Sequence, residues 1–300
     1  MVSNDVFNDR IATLIAHPDN PCLTPERAGK AQNALGASAV YFLADGVACD
    51  IPLPPACEAP DEALRSVLSG HPIDIVVQNA NERRKKALLA DMDSTLIHQE
   101  CIDELADAAG IGAQVADITA RAMAGELDFE PALRERVKLL KGQPETLIER
   151  VLDERIQLRS GGRELVATMK HNGAHCVLVS GGFVQFTQSV ADRLGFDEHH
   201  ANSFIFENGL FTGDVQNPIL GREAKVEALD RVVAEHGLDL EDVMAVGDGA
   251  NDLGMINRAG CGVALHAKPI VAEQADVRID HGDLTALLYI QGYRKSDFVS

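Results

Sequence analysis

The chain has 300 residues, 46% of them apolar, 24% charged and 4% aromatic, with no Trp. This composition fits one large or two smaller folded domains and excludes a disordered or low-complexity chain. Lys and Arg number 27 against 46 Asp and Glu, a net charge of -19. So acidic a chain is a poor general binder of nucleic acid or anionic membranes, and an anionic ligand would need strong local compensation. No apolar run approaches the ~20 residues of a membrane helix, Met1–Asp9 lacks the basic and apolar regions of a secretion signal, and the six Cys form no CxxC pair. The expectation is a cytoplasmic protein with reduced, mostly buried thiols.

The first 80 residues read as one unit. Ile11–Ala16 predicts a strand. Thr24 opens a helix running through Ala34, with Pro25 at its first position and Glu26 in its first turn. Ala39–Leu43 and Val47–Leu53 form two strands around Asp45-Gly46, a hairpin dipeptide. A helix over Ala59–Ser69 and a β-branched strand over Ile73–Val77 complete a β-α-β-β-α-β order. That order predicts a small ferredoxin-like α+β domain over residues 1–80. The polar run Asn81–Lys86 reads as a solvated linker, because a handful of cations in so acidic a chain makes no basic face.

A second domain, 81–300, follows a different pattern. The apolar runs Ala87–Ala90, His175–Val179, Val243–Val246, Cys261–Leu265 and Val277–Ile279 alternate with helical segments such as Val184–Leu194 and Ala224–His236. Strands alternating with helices predict a doubly wound, Rossmann-like parallel sheet, whose ligands bind beyond the carboxyl ends of the strands. The stretch between Asp91 and Ser180 far exceeds the dozen or so residues that a parallel crossover needs. It carries helical patterns over Ile102–Ala109, Gln114–Ala124, Pro131–Leu140 and Glu145–Leu152. This surplus predicts a helical cap at about 98–165, placed over the strand ends. A short hairpin, Phe204–Glu207 with Leu210–Thr212, turns at Asn208-Gly209.

Polar clusters sit where the first three runs stop. Asp91-Met92-Asp93-Ser94-Thr95 places two carboxylates two residues apart, one able to attack an electrophile while the other handles protons. Its loop amides and Thr95 can hold an anion. Ser180-Gly181-Gly182 offers a hydroxyl and flexible amides where the second strand gives way to a helix, a phosphate cradle. Lys225 supplies a cation for a transferring phosphoryl group. Gly247-Asp248-Gly249-Ala250-Asn251-Asp252 adds hard oxygen ligands with no His or Cys nearby, a set that suits Mg²⁺ rather than zinc. Each fragment alone is commonplace: acidic pairs cap helices, Gly-Gly makes turns, and a helical Lys is usually solvated. Their convergence on one sheet edge is what points to chemistry.

In order and spacing, DMDST, the Ser of SGG, a Lys and GDGAND resemble the haloacid dehalogenase superfamily from about Lys86 to the C-terminus. Finer matches are to its phosphoserine phosphatases: RKKALLADMDSTLIHQECIDELA, TARAMAGELDFEPALRERV, SGGF, VGDGANDLGMI and ALHAKP at Ala264–Pro269. The resemblance implies that Asp91 is a nucleophile forming an aspartyl phosphate and that Asp93 is the general acid and base. It implies Mg²⁺ held by Asp91, Asp248 and the carbonyl of Asp93, with Asp252 and Thr95 in support. Ser180, Gly181, Lys225 and Asn251 would hold phosphate. Glu100 would pair with the ammonium of phosphoserine, Arg136 with its carboxylate, and Met123 and Phe129 would close the pocket. Bare residue statistics make the last four ordinary surface charges and packing residues. A zwitterionic substrate, however, needs one anion and one cation outside the phosphate site. The N-terminal order is compatible with the ACT-type regulatory domains of some relatives. Its first strand-to-helix loop, His17–Leu23, lacks the Gly of ACT ligand sites, so a structural role or a homodimer through this domain is at least as well supported. The alternatives are a phosphotransferase using another amino-acid alcohol as acceptor and, in another class, a non-catalytic amino-acid sensor. Intact Asp91 and Asp93 argue against a sensor.

Overall fold

Alternation of side chains along a strand sorts Ala87–Ala90 between two apolar layers. Leu88 and Ala90 enter one core, Ala87 and Leu89 the other. Both faces are covered, as a parallel sheet requires. In a computed structural model, which describes residues 9–123 and 126–300 and only the backbone of Met123, this strand is central in a six-stranded parallel sheet.

The N-terminal region runs β1 (Arg10–Ala16), α1 (Pro25–Leu35), β2 (Tyr41–Ala44), β3 (Ala48–Pro52), α2 (Pro60–Val67) and β4 (Ile73–Asn79). Its antiparallel sheet has the order β2-β3-β1-β4, the ferredoxin-like arrangement that the element order predicts. Thr24 caps α1 by accepting the Arg27 N–H, and Gly36 closes it in the left-handed region. One face of the sheet packs Ala12, Leu14, Cys49 and Ile51 against α1 and α2. The other, with Ile15, Ala48 and Val76, joins the main core.

The second region continues with β5 (Ala87–Ala90), α3 (Cys101–Ala108), α4 (Gly112–Met123), α5 (Phe129–Leu139), α6 (Thr146–Glu154), α7 (Gly162–His171), β6 (His175–Phe183) and α8 (Val184–Leu194). Then come β7 (Glu198–Asn202), β8 (Phe204–Glu207), β9 (Leu210–Val215), α9 (Arg222–His236), β10 (Val243–Gly247), α10 (Leu253–Ile256), β11 (Cys261–Leu265), α11 (Pro269–Ala272), β12 (Val277–Ile279) and α12 (Ala286–Ile290). The sheet order is β12-β11-β10-β5-β6-β7. Helices α3–α6 form the cap. It leaves and rejoins the sheet through a neck in which Ile97 bridges Leu158, His98 N donates to Gln157 O and Arg159 N to Leu96 O. Residues just beyond the neck begin α7, whose Leu165, Val166 and Met169 belong to the main core.

Four details depart from the sequence reading. The run Asn81–Lys86 is not a wholly solvated linker, since Lys85 is buried and donates to Glu82 O and Glu241 O, and Arg83 pairs with buried Asp50 at 2.7 Å. Strand β6 runs on through Ser180, Gly181 and Gly182 to Phe183, with a break in register between Val179 and Phe183. The glycines therefore form a bulged strand end, and α8 starts only at Val184. Strand β7, sequence EHHAN, carries no apolar run, because it is an edge strand whose first three residues are half-exposed. Helix α7 and the short α10–α12 also have no counterpart among the expected elements.

Candidate active site

Parallel pairing brings the polar clusters together. Ala90 is level with Val246 of β10 and Leu178 of β6, so Asp91, Asp248 and Ser180 leave three adjacent strands at the same sheet edge. The cap lies above them. Between the two is a cavity of about 200 Å³ lined by Asp91, Asp93, Glu100, Phe129, Arg136, Ser180, Gly181, Asp248 and Asn251 among the expected residues.

Lys225, Asp252 and Thr95 stand behind this lining, buried. Lys225, in the first turns of α9, donates to Asp91 Oδ1 at 2.5 Å and to Asp252 Oδ1. Asp252 also accepts the Gly249 N–H at 3.0 Å, which ties it to the loop it follows. Thr95 Oγ1 donates to Asp248 Oδ1 at 3.3 Å. Thr95 therefore braces a carboxylate and does not face the cavity as an anion ligand. The side chain of Met123 lies outside the described residues.

Burial sets the electrostatics. It holds the Asp91 carboxyl well above the ordinary range, and neighbouring Asp252 adds to this while Lys225 opposes it. Asp93 is pushed up to about 7, first by burial and then by Glu100. Asp248 is pushed up to about 6, first by burial and then by Asp252. Burial works to lower the Lys225 ammonium, yet Asp252 and Asp91 hold it above its usual value. One carboxylate oxygen from each of Asp91, Asp248 and Asp252 falls within 4.8 Å of the others. A concentration of buried, acceptor-only oxygens with one lysine beside them is short of positive charge, which fits a hard divalent cation.

The cap residues are placed by local bonds. Ser94, at φ 56, turns the chain after Asp93, and its Oγ donates to Glu100 Oε1 at 2.7 Å. Cys101 N points at Asp93 Oδ1 at 3.4 Å. Arg136 Nε donates to Ala132 O at 3.2 Å, with Asp103 and Glu100 providing the nearby negative charge. Phe129 is 40% exposed and overhangs the core, since a Cβ on Gly181 would come within 3.2 Å of its ring. The absence of a side chain at Gly181 is what lets cap and core approach.

Sequence reasoning missed several participants. Asn202, at the end of β7 and 2% exposed, donates to Gly181 O and Leu220 O and accepts the Leu220 N–H. It pins the bulge that carries Ser180. Lys268 lines the cavity, and its N–H donates to Asp248 O at 3.1 Å. It follows the end of β11, so the strand-end rule that singled out the first three clusters reaches it too. Ile102, Leu133 and Phe183 supply apolar wall.

The haloacid dehalogenase-like hydrolase family profile matches residues 88–257. The chain belongs to that family. Among curated relatives, the phosphoserine phosphatase of Archaeoglobus fulgidus is 43% identical over 217 residues, 72% of this chain, which spans 63% of that protein's length. The phosphoserine phosphatase of Methanocaldococcus jannaschii is 42% identical over 69% of this chain and 98% of its own. The unliganded crystal structure of a probable phosphoserine phosphatase from Vibrio cholerae superposes with a TM-score of 0.80 at 30% identity, covering 97% of this chain and 88% of that one.

Proposed function

We propose that this chain is a Mg²⁺-dependent phosphoserine phosphatase that releases L-serine and phosphate through an aspartyl phosphate on Asp91. The observation that carries the reading is the cavity that joins Asp91 and Asp93 of the core to Glu100 and Arg136 of the cap. The first pair suits phosphoryl transfer. The second is the anion and cation that a zwitterionic amino-acid end requires.

Asp91 attacks phosphorus with a carboxylate oxygen, and the bond from phosphorus to the serine oxygen breaks. Lys225, bound to Asp91 Oδ1, restrains that carboxylate and neutralises charge as it develops. Asp93, whose carboxyl is pushed up to about 7, holds a proton at neutral pH in a substantial fraction of molecules. It gives that proton to the departing serine oxygen and then takes one from the water that opens the aspartyl phosphate. Ser180, the Gly181 amide and Asn251 receive the phosphoryl oxygens. Asp91 and Asp248, with Asp252 behind, would hold Mg²⁺, which supplies compensation for phosphate charge when bound. Glu100 and Arg136 orient the serine portion under Phe129. For self-association through the N-terminal domain, the β2 edge offers exposed apolar side chains, with Tyr41 54% and Phe42 36% exposed.

The test compares phosphoserine with p-nitrophenyl phosphate, which lacks ammonium and carboxylate. A charge-assisted hydrogen bond contributes roughly 1.5–3 kcal/mol, so Arg136→Ala should lower kcat/KM for phosphoserine by roughly ten- to a hundredfold or more. Activity on p-nitrophenyl phosphate should change far less. If both fall equally, Arg136 supports the cap and the assignment of substrate fails.

A further inference from the structure

The opposite end of the sheet carries a second group of chelating side chains that the reaction does not use. His175 opens β6, Glu198 opens β7 and His236 ends α9. His175 Nε2 lies 2.7 Å from Glu198 Oε1, and the His175 and His236 rings sit 4.1 Å apart between centroids. One donor atom from each of the three falls within 4.8 Å of the other two. The second Glu198 oxygen is 3.0 Å from His200 Nε2. Asp197 Oδ2, fixed by the Cys176 N–H, stands 3.7 Å from His175 Nδ1. It is placed as the outer carboxylate that commonly orients a ligating imidazole.

We propose that His175, Glu198 and His236 form a second cation site, selective for a divalent transition ion of the Zn²⁺ class. Imidazole nitrogens favour such ions, whereas the all-oxygen set at Asp91 favours Mg²⁺. Bonds of about 2.0–2.2 Å place tetrahedral ligand atoms roughly 3.3–3.6 Å apart. Side-chain adjustments of an ångström or less therefore bring this group into place. The carbonyl end of α9 adds negative potential beside His236. The competing cations are Arg231, 2.7 Å from His200 Nε2 and 3.5 Å from Glu198 Oε2 with its side chain 39% exposed, and Lys170, 2.7 Å from Asp197 Oδ1. Ser180 is five residue steps along β6 from His175, roughly 17 Å at strand rise. The ion therefore braces the sheet and takes no part in the pocket.

The test is calorimetric titration of the chelator-stripped full chain with Zn²⁺ in saturating Mg²⁺, with thermal unfolding followed in parallel. One equivalent should bind and raise Tm. His236→Ala and Glu198→Gln should each weaken binding roughly tenfold or more, and His175→Ala with His236→Ala should remove it. Circular dichroism checks that each variant is folded, and exposed His236 provides the least disruptive change. Asp248→Asn should leave the isotherm unaltered. No Zn²⁺ binding, an isotherm that survives the double His variant, or one lost with Asp248→Asn each overturns the proposal.

Discussion

Replacing Lys225 by Met isolates the electrostatics beneath the pocket. The lysine is 2% exposed and its ammonium bonds to Asp91 and Asp252, which are 4% and 0% exposed. Met keeps most of the stem volume and removes the charge, leaving a buried carboxylate pair without its cation. Removing one partner of a buried ion pair costs about 3–5 kcal/mol, a third or more of the stability of many domains. The variant folds only by taking up a proton, and Asp91, already displaced upward by burial, is the group placed to take it. A carboxyl with a raised folded-state pKa contributes stability below its unfolded value, lost as the pH rises through the folded one. Each extra proton bound on folding changes stability by about 1.4 kcal/mol per pH unit. The loss caused by Lys225→Met should therefore be smaller at about pH 5.5 than at about pH 8, by at most roughly 3 kcal/mol. Adding Asp252→Asn should recover part of the loss at the higher pH. The assay is urea unfolding without divalent ions. A loss below about 1 kcal/mol, or one equal at both pH values, would refute the account, since an isosteric surface change costs no more than that.

Gly247→Ala would place a Cβ 2.4 Å from Asp252 Cγ, unseating the Lys225 partner. Turnover should fall about a hundredfold in steady-state assays, with the circular dichroism spectrum unchanged. Glu100→Gln removes the second cause of the raised Asp93 carboxyl. The alkaline limb of the kcat profile, where the acid loses its proton, should move to lower pH, read with an alkyl phosphate that has no ammonium. An unmoved limb would separate Glu100 from Asp93. Asp74→Ala strips the acceptor from the amides of Asp280, His281 and Gly282. It should destabilise the chain by roughly 1–3 kcal/mol in denaturant unfolding, with little change in KM.

Much of the core was readable because parallel strands buried on both faces leave short apolar runs. Ala87–Ala90, Cys261–Leu265 and Val277–Ile279 are observed with the limits their composition suggests. Helix α8 also matches at both ends, since Gly195 at φ 89 stops it. Strand β7 escaped because an edge strand buries little and EHHAN carries no apolar signal. The extension of β6 escaped because Ser-Gly-Gly favours turns, while the pairing of Phe183 with Asn202 across the bulge is a tertiary fact. The role of Asn202 depends on that same register, and one side chain satisfying two backbone segments leaves no periodic trace. Lys225 was recognisable by its place in the chain. Its burial was not, because nothing local distinguishes a helical lysine in solvent from one enclosed by two carboxylates.

Helix α12 runs Ala286-Leu287-Leu288-Tyr289-Ile290, with no residue more than 2% exposed. The Methanocaldococcus relative aligns over nearly its whole length with only 69% of this chain. A catalytic unit of this family thus exists at two-thirds of the present size. Here that unit is not freely separable. The N-terminal sheet lays Ile15 and Val76 into the same apolar layer as α12, and Asp74 is fastened to the loop after β12. Cutting the chain near residue 80 would uncover an oily strip and three unpaired amides together. A usable stand-alone fragment would have to be rewritten along α12 with polar residues before it stayed in solution.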